Sequence, residues 1–377
     1  MKRAAIIFFI ITFILVTFGS SSVWAQSVKW GVVIPLSGGS AFYGLQEQLG
    51  INMALEEING AGGIKGVGPM EVIYLDHEGN PSKGVTHALR LIHRNNVDVL
   101  SADINSAVSL AVLPVAEREK IPMLNVLSST PHLNDQGAQW IIDSALTDAH
   151  QVPALIDVAI KDFGMKGKTD IALLHDADDY GRIAADIAEK ALKEKGYAPL
   201  KRSFNRKDRD FSGQLLAFKE QGAKAILIWG ILDDTAAILK QIESLGLKFR
   251  CMGGSATGTQ RLADLAGTAG EGYVATLMFN ADEPVPQVQE FVKKFNKKYP
   301  GKVVDWCVSQ GYDGVYLIKT AVEQPGPNFT RAQLRDALRN IKYTGVMGNI
   351  SFDKTGSVNV PVLKVIIKNG KYTFYGR

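Results

Sequence analysis

Cysteine is nearly absent: the 377 residues include only two, Cys251 and Cys307. That excludes a disulfide scaffold, and their spacing fits no zinc pattern. An exported chain could pair them, but two buried free thiols are the default expectation. An excess of one charge is also missing, with 42 Lys and Arg against 38 Asp and Glu. There is no basic tail or basic helix, so nucleic acid is not an expected partner. Beyond the N-terminus no apolar run is long enough to cross a bilayer. The signatures of catalysis are missing too. There is no Gly-x-Ser-x-Gly elbow and no Gly-Lys-Ser/Thr phosphate loop. The six histidines show no zinc spacing. "HDADDYG", from His175 to Gly181, lacks the ligand ladder of a calcium loop. "GAGGIKGVG" follows a helical pattern and leads into a strand, the reverse of a dinucleotide fingerprint, so it reads as a helix stop and turn. No nucleophile sits beside a base. No enzyme, metal or cofactor is expected.

What is present begins with a leader. "MKRAAIIFFIITFILVTFGSSSVWAQS" has a basic start, an apolar stretch from Ala4 to Phe18, and small residues before a cleavage point after Ala25. This reads as a signal peptide over residues 1–25, and the remainder as a soluble, exported chain. Loss of Lys2 and Arg3 with the leader takes 42 basic residues to 40 against 38 acidic ones, close to neutral.

The rest alternates strand and helix. "VKWGVVIPL", "MEVIYLD", "VDVLSA", "TDIALLH" and "AKAILIWGI" read as strands, several of them apolar throughout. Between them lie helical patterns such as "PSKGVTHALRLIHRNN" and "YGRIAADIAEKALKEKG". Continuous apolar strands joined by helices predict parallel sheets covered on both faces, an α/β fold. Ligands of such sheets sit beyond the carboxyl ends of the strands. Ser106, Ser129, Tyr180, Trp229 and Ser255 all fall there. In "DINSAVSLAVLP", Asn105 and Ser106 stand at the mouth of a helix, either as caps or as part of an anion site built on free N–H groups. Pro114 is expected to kink or split that helix. Asp178 or Asp179 is expected to cap the helix that opens at Tyr180, and Asn369-Gly370 predicts a hairpin.

Six stretches, in order, resemble the periplasmic leucine/isoleucine/valine-binding protein family, the substrate-binding proteins of amino-acid ABC transporters. They are "VVIPLSGGSAFYG", "INGAGGIKG", "LPVAEREKIPMLN", "LHDADDYG", "KDRDFSGQLLAFKEQGAKAILIWG" and "GYDGVYLIKTA". The resemblance implies a type I periplasmic binding protein fold, two Rossmann-like lobes joined by three crossover strands. Residues 26–147 and 279–355 would form the first lobe, and 148–278 with 356–377 the second. It also implies a periplasmic monomer that binds a small carboxylate or amino acid and delivers it to ABC permease subunits without turnover. A ligand-sensing receptor domain is the alternative.

By the same resemblance, Ser106 and the adjacent N–H groups at Asn105 would hold the ligand carboxylate. Leu127 would offer a carbonyl and Ser129 a hydroxyl. Tyr43, Tyr180 and the region from Trp229 to Asp233 would form walls, although Asp233 is equally a helix cap. One position departs from the family. An acid that meets the ligand ammonium is replaced by Ser255 in "CMGGSATG". A buried ammonium without a carboxylate is poorly compensated. Either Asp233 or Asp103 takes its place, or the ligand is an aromatic or aliphatic carboxylate with no α-amino group.

Overall fold

A computed structural model of the protein describes residues 27–135 and 137–376. The leader and its cleavage point lie outside the described residues. The first half contains β1 (Val28–Ile34), α1 (Ala41–Gly60), β2 (Met70–Asp76), α2 (Pro81–His93), β3 (Val99–Ala102), α3 (Ser106–Glu119), β4 (Met123–Asn125), α4 (His132–Asp135) and β5 (Ile141–Asp143). There follow α5 (Asp148–Asp157), β6 (Ile171–Asp176), α6 (Asp179–Glu194), β7 (Lys201–Phe204), α7 (Ser212–Glu220), β8 (Ala225–Trp229), α8 (Leu232–Ser244), β9 (Arg250–Gly253), α9 (Gln260–Ala266) and β10 (Val274–Leu277). The last part has α10 (Pro286–Lys298), α11 (Trp306–Val322), α12 (Arg331–Arg339), β11 (Tyr343–Gly345), β12 (Gly348–Ile350), β13 (Leu363–Lys368) and β14 (Lys371–Gly376).

The strands form two separate large sheets. One is five-stranded and parallel, in the order β2-β1-β3-β4-β5. The other is seven-stranded, in the order β14-β13-β10-β9-β8-β6-β7, with β13 and β14 antiparallel. The burial follows the sequence. β6 and β8 are buried along their whole length, β8 apolar throughout and β6 apolar from Ile171 to Leu174, as strands covered on both faces must be. At the end of the chain, Asn369 and Gly370 both have positive φ, the geometry of the tight turn that joins β13 to β14.

Helices α1 and α11 cover one face of the first sheet, and α2 and α3 pack the other through Ala88, Leu91, Val108 and Val112. The α1–α11 contact is close because Gly50 lets the backbones meet. A Cβ there would lie 1.9 Å from the Val308 carbonyl oxygen. Inside the first sheet, Trp30 Nε1 donates to Ser101 Oγ at 2.9 Å, and Ser101 in turn donates to the Leu124 carbonyl. This buried relay ties β1, β3 and β4 together. Helix α3 does not split at Pro114. Its neighbours Leu113 and Val115 are buried and hold both halves of the helix, while Pro114 faces solvent. Cys251 and Cys307 are both free and buried.

Candidate functional site

The two sheets point the carboxyl ends of their strands at one cavity. Its lining contains Ser40 and Tyr43 after β1, Ile104 and Asn105 after β3, and Leu127 and Ser129 after β4. The other sheet supplies Tyr180 after β6, Arg206 after β7, Ile231 after β8, and Ser255 with Ala256 after β9. Trp306 closes it from the start of α11. The cavity is narrow and partly open to solvent. Its position beyond the strand ends is where open α/β sheets bind ligands.

Local sequence explains how each wall is aimed. Asp178 caps α6 by accepting from the Asp179 N–H at 2.6 Å, which sets Tyr180 in the first turn. Gly181 allows that turn to start hard against β6, since a Cβ there would lie 2.5 Å from the Asp176 carbonyl oxygen. Asp305 caps α11 through the N–H groups of Cys307 and Val308, at 3.1 and 3.2 Å, and so fixes Trp306. Ile104 has φ +74°, a left-handed conformation that is costly for a β-branched residue. Strain of that kind gathers where a binding loop is held by its surroundings.

The mouth of α3 is uncapped. Asn105 occupies the cap position but makes no capping hydrogen bond. Its amide nitrogen donates to Ser40 Oγ at 3.3 Å, and its Oδ1 has no partner. Ser106 is 1% exposed and its hydroxyl is unpartnered as well. The N–H groups of Ser106 and Ala107 meet no acceptor among the described residues. Unmet donors at a helix N-terminus favour an anion.

Six of the nine residues singled out from the sequence line the cavity: Tyr43, Asn105, Leu127, Ser129, Tyr180 and Ser255. Ser106, the residue after Asn105, does not line it. Two others are placed elsewhere. Trp229 is fully buried beneath the wall, and its indole N–H donates to Asp148 Oδ1 at 3.3 Å. Asp233 is exposed in the first turn of α8, and Ile231 rather than Asp233 holds the cap position, because the helix begins earlier than its sequence suggests. Asp103 does not line the cavity either. Its Oδ1 accepts from the N–H groups of Val126 and Leu127, at 2.8 and 3.3 Å, so it braces the loop after β4. Burial pushes its carboxyl up to about 7, and the neighbouring Glu47 is raised by burial and by Asp103.

Ser129 is engaged differently from expectation. Its hydroxyl donates to Asp148 Oδ2 at 3.0 Å, so only its lone pairs remain for a ligand. Burial pushes Asp148 up to about 7, although the bonds from Ser129 and Trp229 favour its ionised form.

Sequence reasoning missed Arg206 and Trp306. Arg206 bonds Asp176 Oδ2 through Nε and Nη2, at 3.2 and 3.1 Å, and Asp178 Oδ2 at 3.1 Å. Burial works against its charge, but the two aspartates more than offset that. Arg206 is the one charged residue among the described residues lining the cavity, and no Asp or Glu joins it. The indole N–H of Trp306 is buried without a partner. Neither carried a local signal. Arg206 sits among Lys201, Arg202, Lys207 and Arg209, and Trp306 begins a helix far along the chain.

Comparison with known proteins agrees with this geometry. A family profile described as "periplasmic binding protein" matches residues 27–371. The leucine-, isoleucine-, valine-, threonine-, and alanine-binding protein of Pseudomonas aeruginosa is 27% identical over 361 residues, covering 95% of this chain and 92% of that protein. The crystal structure of a leucine binding protein from Thermotoga maritima superposes with a TM-score of 0.85 at 28% identity, covering 93% of this chain and 98% of that one. A solute binding protein from R. palustris in complex with benzoate has the same fold, with a TM-score of 0.84 at 19% identity and coverage of 93% and 96%. With two lobes, a cleft at the strand ends and a profile match across nearly all the described residues, the chain belongs to the periplasmic binding protein family.

Proposed function

We propose that this protein is an extracytoplasmic solute-binding component of an ABC importer. It captures a small organic anion between its lobes and delivers it, unchanged, to the permease. The single observation that carries the choice of solute is the charge inventory of the cavity. A guanidinium lines it, held by Asp176 and Asp178, which do not themselves line it, no carboxylate is among the lining residues, and the α3 mouth beside Asn105 adds unmet N–H groups and the unpartnered Ser106 hydroxyl. A carboxylate finds charge-assisted donors there. An ammonium finds none of the acid it needs among the lining residues. The apolar and aromatic walls of Tyr43, Leu127, Tyr180, Ile231 and Trp306 suit an aromatic or aliphatic body.

A branched-chain amino acid is the second reading. The names of the relatives favour it, and Asp148 lies one hydrogen bond behind the lining at Ser129. A thermal-shift screen followed by titration calorimetry separates the two. Benzoate, 4-hydroxybenzoate and branched aliphatic carboxylates are tested against leucine, isoleucine and valine. The anions without an amino group are expected to raise the unfolding temperature and the amino acids to leave it unmoved. Stabilisation by the amino acids alone would replace the first reading with the second.

A further inference from the structure

Tyr43 does more than wall the cavity. It belongs to α1, which covers the first sheet, yet its hydroxyl is bonded to the other half of the molecule. It donates to the Ala256 carbonyl at 2.8 Å and accepts from the Leu232 N–H at 3.2 Å. These partners come from two different loops, the turn after β9 and the first residue of α8. The N–H of Leu232 is one of the donors a helix start leaves unmet, so the tyrosine oxygen replaces water there. Tyr43 is 3% exposed, and its ring lies 6.2 Å from the ring of Trp306.

A second contact crosses the cleft one residue away. The guanidinium of Arg261, on α9, stands over the Phe42 ring at 5.3 Å from its centroid. Phe42 and Tyr43 meet edge to face at 5.5 Å. One turn of α1 is therefore gripped at three points of the opposite lobe, Leu232, Ala256 and Arg261. All of these contacts are between protein groups.

We infer that Tyr43 and Arg261 form a clasp between the lobes that holds a fraction of the empty protein closed, so that solute affinity is set partly by contacts the solute never makes. Both contacts exist only when the lobes meet, and in the open form water serves the same polar groups. Each therefore shifts the open–closed equilibrium directly. Because apparent affinity scales with the competent fraction, weakening the clasp weakens binding of any solute in proportion. The Tyr43 hydroxyl engages both a donor and an acceptor across the cleft, so a bound molecule meets its ring.

The test is made on empty protein and does not depend on which solute the cavity takes. A failed solute screen would leave it intact. Lys83→Cys and Lys219→Cys place dyes on exposed sites of the two halves, while Cys251 and Cys307 stay buried. Single-molecule energy transfer then counts open and closed molecules. Wild type is expected to show both. Tyr43→Phe keeps the ring and removes the clasp bonds, and is expected to lower the closed-to-open ratio about tenfold. Arg261→Met, outside the cavity, is expected to lower it about twofold to fivefold. An unchanged ratio in both variants, or an empty wild type with no closed molecules, would overturn the clasp. If Tyr43→Phe fails to fold, the surface variant Arg261→Met decides alone.

Discussion

Truncating Ser106 tests the anion site most directly. Its hydroxyl is 1% exposed and bonds to nothing among the described residues. A buried hydroxyl in that state is a liability, since it has given up water without recovering a partner. Ser106→Ala removes that liability and also places a better helix former in the first turn of α3, by up to roughly 0.5 kcal/mol. The empty variant should unfold at the wild-type temperature or slightly above it. A bound carboxylate changes the balance, because the hydroxyl then donates to a charged oxygen. Such a bond contributes about 1.5–3 kcal/mol, so affinity should fall about tenfold to a hundredfold. Calorimetric titration with whichever anion the screen selects gives the affinity, and differential scanning calorimetry of empty protein gives the stability. The two effects must separate. A drop in the unfolding temperature of the empty protein with no loss of affinity would make Ser106 a structural residue and refute the anion site at α3.

Two further outcomes follow from the interior. Burial raises Asp148 to about 7 and Asp176, Asp305 and Asp313 to about 6, against 3.8 for a free side chain. While His77, His150 and His175, held by burial below the ordinary imidazole value of 6.5, add stability as pH rises towards it, the folded protein keeps through these aspartates protons that the unfolded chain releases, so they lower stability as pH rises from about 4 to about 7. Asp170 and Asp353 act in the opposite sense below that window, because hydrogen bonds to their ionised forms, with Lys224 also beside Asp170, hold them under the ordinary value despite partial desolvation. Calorimetric scans across pH should show maximum stability on the acid side of neutral, and a steady rise towards pH 8 would contradict it. Gly50→Ala should cost about 2 kcal/mol or more, since its Cβ would meet the Val308 carbonyl at 1.9 Å where two helix backbones pack. Urea unfolding measures that loss, and a change within about 0.5 kcal/mol would mean that α1 and α11 slide apart easily.

The sequence by itself determined the alternation of strands and helices, the parallel sheets, the turn at Asn369-Gly370 and a helix cap at Asp178 or Asp179. Each rests on side chains close together in the chain, so apolar period and turn chemistry report it. The helix mouth at Asn105 and Ser106 was legible for the same reason, although only the folded chain showed that neither side chain caps it. Tertiary structure alone decided the rest of the cleft. Trp229 turned inward to Asp148, Asp233 faced solvent, and Arg206 rather than any of its basic neighbours entered the cavity. The hydroxyl of Tyr43 found its partners 189 and 213 positions away. Such contacts depend on how two separately built sheets meet. No local pattern encodes that meeting, because its partners become neighbours only when the lobes close.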